Sequence, residues 1–206
     1  MNPSHRSADV RSNQVVPIGL ESEPVLSDVL ARAFWDDPVM AYLIPDERSR
    51  YRRLRHFYRG ALRLYATKGP CLTTADLSGV ALWAEPGRWK ATPRDAAVAL
   101  IPTVRALGGA LMRGKRLIDV VEHRHPKVPH WYLALLGTDP ARQGLGVGSA
   151  LIRAVTDRCD REGIPAYLES SKHDNVAYYE RLGFRVTEDV TVPGGPTLWL
   201  MWREPG

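Results

Sequence analysis

The chain reads as one α/β (α+β) domain. Short apolar runs alternate with stretches of helical spacing from residue 15 to the end. Its 206 residues, 44% hydrophobic and 25% charged, are enough to bury one core. No internal repeat or low-complexity linker interrupts them. Residues 1–14 are polar, lack the apolar stretch of a signal peptide and read as a disordered leader, which leaves 15–206 as the domain.

The elements follow in order. Val15–Ile18 is a short first strand. Glu21 to Phe34 places Val25, Leu26, Val29, Leu30, Ala33 and Phe34 at helical intervals. Trp35-Asp36-Asp37-Pro38 ends that helix, because the residue before proline avoids helical dihedrals. A second helix runs from about Asp46 to Thr67. Leu72–Ala75 and Gly79–Ala84 are two strands joined at Asp76-Leu77-Ser78. Pro93–Val121 is helical, broken at Gly108-Gly109 or at Gly114, and Pro126–Pro129 is a stop. Trp131–Gly137 is a strongly apolar strand, followed by a helix from Gly146 to Glu162 that Gly163 ends. Ala166–Glu169 is a strand and Asn175–Leu182 a helix ended by Gly183. Phe184–Val192 and Thr197–Trp202 close the chain as paired strands across Pro193-Gly194-Gly195-Pro196.

Composition excludes several functions. Cys71 and Cys159 are far apart and match neither zinc nor disulfide spacing. His123, His125 and His130 also lack a zinc pattern, so no metal is expected and a surface or packing role is. No apolar run spans a membrane, and the cytoplasm is the simplest compartment. The net charge of +5 and pI near 9.4 would suggest a polyanion partner. However, seven arginines and no acid lie between Arg48 and Arg63. On a helix Arg48, Arg52, Arg55, Arg59 and Arg63 share one face, apart from an apolar face of Tyr51, Leu54, Tyr58, Leu62 and Tyr65. The arginines are therefore expected to be solvated, with an acidic acceptor or a partner chain as the alternative. No nucleic-acid-binding motif is present.

The most informative stretch is Thr138-Asp139-Pro140-Ala141-Arg142-Gln143-Gly144-Leu145-Gly146-Val147-Gly148-Ser149, between an apolar strand and an amphipathic helix. Its glycines let the backbone approach a ligand closely, and free N–H groups at the helix start favour an anion. It lacks the Gly-Lys-Ser/Thr ending of a Walker loop and, with Ser149, the third glycine of a dinucleotide fingerprint. An ordinary glycine-rich connection is the alternative.

Gln143-x-x-Gly146-x-Gly148 resembles the pyrophosphate-binding signature of the GCN5-related N-acetyltransferases (GNAT family). The apolar strand before it, Asp139-Pro140, and Asn175-x-x-x-Tyr179-x-x-x-Gly183-Phe184 about 30 residues on extend the match. His125–Leu133, Leu168–Ser171 and Val190–Pro196 are similar to the branch that contains puromycin N-acetyltransferase, as is Ala33-Phe34-x-Asp36-Asp37-Pro38. That likeness is tight in the second half of the chain and loose in the first. It implies a mixed sheet of about six to seven strands with helices on both faces, a cofactor half at about 130–186 and an acceptor side at about 34–125.

The resemblance implies acetyl-CoA as co-substrate and direct transfer to an amine. Gln143, Gly144, Leu145, Gly146, Val147, Gly148 and Ser149 would hold the pyrophosphate. Leu135, Leu136 and Thr138 would pair with the pantetheine arm through their main chain, where the strand splays from Ala166–Glu169 and Gly137 suits a bulge. Tyr179 takes the family position of the acid that protonates the thiolate; Tyr178 is the neighbouring candidate, and core packing the structural alternative. Asn175 is an N-cap, a pantetheine contact, or both. Glu169 is the candidate general base, with His130 a lesser one. Asp36 and Asp37 would attract an ammonium group or simply form a turn. Trp35 either lines the acceptor pocket or joins the core, and Trp83, Trp89, Trp131, Trp199 and Trp202 read as core. The acceptor is expected to be a small-molecule amine, the protein a monomer or homodimer. A protein N-terminus or lysine as acceptor, and a non-catalytic acyl-CoA-binding module, are the alternatives. A small amine calls for a closed pocket from residues about 34–60 and 90–125, a protein acceptor for an open groove.

Overall fold

Seven strands run through the computed structural model, which describes residues 13–206, the side chains of residues 20, 96, 98 and 99 excepted. They are β1 (Val15–Pro17), β2 (Cys71–Thr74), β3 (Gly79–Ala84), β4 (Trp131–Thr138), β5 (Ala166–Ser170), β6 (Arg185–Thr191) and β7 (Thr197–Arg203). They form one open sheet in the order β1-β2-β3-β4-β5-β7-β6. All neighbours are antiparallel except β4 and β5. The leader expected over 1–14 lies, but for residues 13 and 14, outside the described residues.

The helices are α1 (Glu23–Ala33), α2 (Pro38–Leu43), α3 (Glu47–Tyr65), α4 (Pro93–Leu107), α5 (Leu111–Arg124), α6 (Val147–Glu162) and α7 (Val176–Glu180). Alternation along β3 places the two layers of core. Val80 and Leu82 pack with Leu26, Leu30, Leu54 and Tyr58 from α1 and α3. Ala81 and Trp83 pack on the other face with Leu151, Ile152 and Val155 of α6 and Tyr179 of α7. β3 is therefore buried throughout, as a central strand covered by helices on both faces must be.

Three local readings change, and the structure decides between the two break points read in the long helical stretch. Asp36-Asp37-Pro38 starts a helix as well as ending one. The Asp37 carboxylate accepts the N–H groups of Val39 and Met40, each at 3.0 Å, and Pro38 occupies the first position of α2. The long helical stretch breaks at Gly108, whose φ is +51°, while Gly114 stays inside α5 against Leu107. Asn175 makes no side-chain cap and ends a single 3-10 turn over His173–Asn175. Of the tryptophans read as core, Trp83 and Trp131 are fully buried, whereas Trp89 lies on a loop and faces a cavity.

The arginine-rich face of α3 meets water at Arg48, Arg52 and Arg63, but most arginines of the helix also have partners within the protein. Buried Arg50 donates to the carbonyls of Ile44, Pro45 and Trp35, closing the end of α2. Arg53 donates to the Ala106 and Leu107 carbonyls at the end of α4. Arg63 forms a two-pronged pair with Glu23 at 2.7 and 2.8 Å, Arg59 approaches the same carboxylate, and Arg55 pairs with Asp28 at 3.0 Å. Glu23 and Asp28 both belong to α1. Only a three-dimensional neighbour carrying acids could reveal this, because α3 itself has none after Glu47. Among the described residues no helix is long and apolar enough to cross a membrane.

Candidate active site at the splayed edge of β4

β4 and β5 pair only from Trp131–Ala166 to Leu133–Leu168, after which β5 continues along β7. From Leu135 to Thr138, β4 keeps only β3 as a described strand partner, and its other edge of N–H and C=O groups opens onto a cavity. The bend comes from a bulge. Leu82 faces Leu135 and Trp83 faces Leu133, so Ala134 is the extra residue. Gly137, expected to make the bulge, instead admits α1. A Cβ there would stand 2.7 Å from Leu30 and 2.9 Å from Phe34.

The cavity measures about 960 Å³. Its first arm runs along Leu135, Leu136 and Thr138 to the loop entering α6. Gln143, Gly144, Gly146, Val147, Gly148 and Ser149 line it, with Asn175, Tyr178 and Tyr179 opposite. Gly144 and Gly146 have φ of +77° and +83°, which side-chain-bearing residues rarely adopt. Gly146 opens α6 with no side-chain cap, which leaves the first N–H groups of the helix available to a ligand. A Cβ on Gly148 would come within 2.7 Å of the Tyr178 hydroxyl, so a bare backbone is needed there.

The loop is tied down from behind. Arg32 of α1 donates twice to one Asp139 oxygen, at 3.1 and 2.5 Å, while the other accepts the Ala141 N–H. Burial would raise the Asp139 carboxyl, but these bonds outweigh it and hold it below the usual value. Arg142 pairs with Asp76 at 3.2 Å on the other flank.

Tyr179 is 8% exposed and lines the cavity. Burial, then Tyr178 and the Asp37 carboxylate, push its phenol above the ordinary value, so it carries its proton at neutral pH. Tyr178 reaches further toward the loop, accepting from Ser149 Oγ at 3.4 Å.

The second arm is aromatic and aliphatic. Phe57, Tyr58, Tyr65, Trp89 and Tyr132 line it, with Leu117, Ile118 and Val121 from α5. Glu169 also lines the cavity, its side chain 9% exposed. Its Oε2 accepts from the Tyr132 hydroxyl at 2.7 Å, and its Oε1 lies 3.5 Å from His125 Nδ1. His125, read from sequence as a surface or packing residue, lies in the cavity wall stacked on Trp89 at 3.6 Å between ring centroids. The Trp89 loop is anchored by Lys68, 4% exposed, which donates to the carbonyls of Arg88 and Lys90 and to Asp95.

Three expected site residues do not line this cavity. Leu145 points away, its carbonyl accepting from Asn13 at 2.7 Å. Asp36 pairs with Lys172 at 2.7 Å on the surface. Trp35 is 39% exposed beneath the Arg50 guanidinium, and so belongs neither to the pocket nor to the core. Asp37 does line it, but its carboxylate is already bonded by Ser171 and the start of α2. Burial raises that carboxyl despite those bonds. His125, Trp89 and Lys68 carried no spacing signal in the sequence. They meet only because the 85–92 loop folds over the strand edge. Among the described residues no group of three or more His, Cys, Asp or Glu is placed to hold a metal ion.

Residues 84–184 match the model of the Acetyltransferase (GNAT) family. An uncharacterized N-acetyltransferase of Schizosaccharomyces pombe is 30% identical over 192 residues, covering 85% of this chain and 77% of that protein. A structure from Corynebacterium glutamicum, described as histone acetyltransferase HPA2 and related acetyltransferase, is similar at a TM-score of 0.70. It is 28% identical and covers 94% of this chain and 96% of that one. Arylalkylamine N-acetyltransferase 2 from Aedes aegypti, 12% identical, shares the fold at a TM-score of 0.55 over 94% of this chain and 99% of its own.

Proposed function

Since this chain belongs to the GNAT family of acetyltransferases, enzymes that draw on acetyl-CoA, we propose that it acetylates the primary amine of a small molecule by direct attack. Coenzyme A fits the residues present: an uncapped helix start with a bare backbone at Gly146 and Gly148, and a free strand edge from Leu135 to Thr138. When bound, acetyl-CoA supplies an activated thioester. Gln143, Gly144 and Gly146 to Ser149 would hold its pyrophosphate through backbone N–H groups, and Asn175 would touch the pantetheine arm.

Tyr179 is the general acid in this reading. Its proton, secured by burial, goes to the departing thiolate. Glu169 is the general base, a carboxylate at the cavity wall oriented by Tyr132. Asp37 adds negative charge on the acceptor side.

The observation that carries the small-molecule acceptor is the second arm of the cavity. It has walls from α3, the Trp89 loop and α5, and its lining is apolar and aromatic with Glu169 at its edge. Such a pocket suits an amine attached to an apolar or aromatic body. The likeness to the puromycin N-acetyltransferase branch supports the same reading.

The test is thiol release from acetyl-CoA across a panel of amines, puromycin and a peptide N-terminus included. Tyr179→Phe is expected to lower kcat by about 10²–10⁴ while coenzyme A affinity stays the same. Unchanged kcat would remove Tyr179 from the acid role, and a peptide acetylated faster than every small amine would reverse the choice of acceptor.

A further inference from the structure

Two imidazoles stand behind Glu169, and the reaction described above does not use them. His130 and His125 are 2% and 4% exposed. His130 Nδ1 lies 2.7 Å from the Val128 carbonyl, which can only accept, so that nitrogen carries the hydrogen. His130 Nε2 then presents its lone pair to His125 Nε2 at 3.0 Å, which makes His125 the donor through Nε2–H. A neutral His125 therefore turns a bare Nδ1 toward Glu169. Nδ1 and Glu169 Oε1 are both buried, both lack a hydrogen-bond partner, and lie 3.5 Å apart. Two facing lone pairs in a low-dielectric site leave a place for one proton.

An ammonium acceptor sheds two protons as it becomes an amide. One leaves with the thiol, and the protein must hold the other until it reaches solvent. Given acetyl transfer at this site, we propose that His125 holds this second proton. Glu169 takes it from the amine and passes it to His125 Nδ1. The carboxylate is restored, and an imidazolium–carboxylate pair with a closed hydrogen bond replaces the facing lone pairs. His125 thus acts through Glu169, as a positioning and proton-holding residue.

The surroundings favour this assignment. Burial holds the His130 ring below the usual imidazole value, and both of its nitrogens are already engaged, by Val128 and by His125. Trp89 stacks on His125, and Tyr132 and Tyr167 meet it edge-on, fixing its plane. The titratable groups facing the pair are His130, the phenols of Tyr132, Tyr167 and Tyr65, and no described lysine or arginine competes for Glu169 by ion pair. The Tyr167 hydroxyl lies close enough to the same carboxylate to interact with it, though outside full hydrogen-bond geometry.

Two measurements test it. Nitrogen-resolved NMR of the full chain reads the histidine tautomers directly. Expected are His130 as Nδ1–H and neutral His125 as Nε2–H, with His125 Nδ1 gaining a proton on acidification. Glu169→Gln should lower that midpoint by about one pH unit or more. A neutral His125 found as Nδ1–H, or a midpoint unmoved by Glu169→Gln, overturns the proposal. The second measurement uses the panel amine that releases thiol fastest. His125→Gln should move the acid limb of kcat/KM to lower pH, with about tenfold loss at pH 7. Added imidazole should restore part of the rate in His125→Ala. An unmoved acid limb overturns the proposal alone, whereas a wild-type protein that releases thiol with no amine overturns the acetyl-transfer reading and the proposal together.

Discussion

Gly146→Ala separates backbone strain from loss of the ligand cradle. Gly146 has φ +83° and its nearest obstacle to a Cβ is Asn13 Nδ2 at 3.7 Å, so the methyl group fits and only the dihedral is unfavourable. A left-handed conformation costs a non-glycine residue about 1–2 kcal/mol. For a chain of this size that amounts to a Tm lower by roughly 2–8 °C. Gly163 ends the same helix with φ +64° and nothing within 4 Å, so Gly163→Ala carries the same strain at the far end. Both variants should melt earlier by similar amounts. Only Gly146→Ala should weaken coenzyme A, because relieving the strain turns the first N–H groups of α6 away from the pyrophosphate. Losing one charge-assisted bond of about 1.5–3 kcal/mol raises Kd more than tenfold. Calorimetry with coenzyme A reads this, and equal affinity in the two variants would refute the cradle.

Two further outcomes follow from packing. Lys68→Met removes one partner of a buried pair and frees the Trp89 loop, with an expected loss of about 3 kcal/mol in urea unfolding at pH 7. The Thr92 N–H and then Lys68 depress Asp95 to about 2, so its contribution is present above about pH 4 and lost as pH falls toward about 2; wild type and variant should converge over that range, and a constant gap would contradict the pairing. Gly137→Ala forces α1 away from β4 at Leu30 and Phe34, and overpacking of this kind costs about 1–3 kcal/mol, read by thermal melting; an unchanged Tm would mean that the helix can give way freely.

Every strand was legible in the sequence, because β3, β4 and β5 are apolar runs bounded by turn residues and the loop between β4 and α6 is rich in glycine. The residues along that loop and the free edge were legible for the same reason: local backbone chemistry determines them. What escaped was set by distant neighbours. Gly137 looked like a bulge and serves helix approach, since the bulge position depends on register with β3. Asp37 looked like a stop, although an aspartate before proline is also a helix start. His125 and Trp89 face each other only because Lys68, distant from both along the chain, anchors the loop that carries Trp89.

The arginines of α3 have a consequence of their own for experiments at varied ionic strength. Arg55, Arg59 and Arg63 clasp Glu23 and Asp28 of α1, partly exposed to water, where dissolved ions weaken such attractions. Added salt therefore loosens one helix against its neighbour. A melting temperature that drops with sodium chloride is the ordinary signature of an anion being shed. In this protein it would report an internal seam opening, and the difference is settled by whether the drop disappears when Glu23 and the arginines are neutralised together.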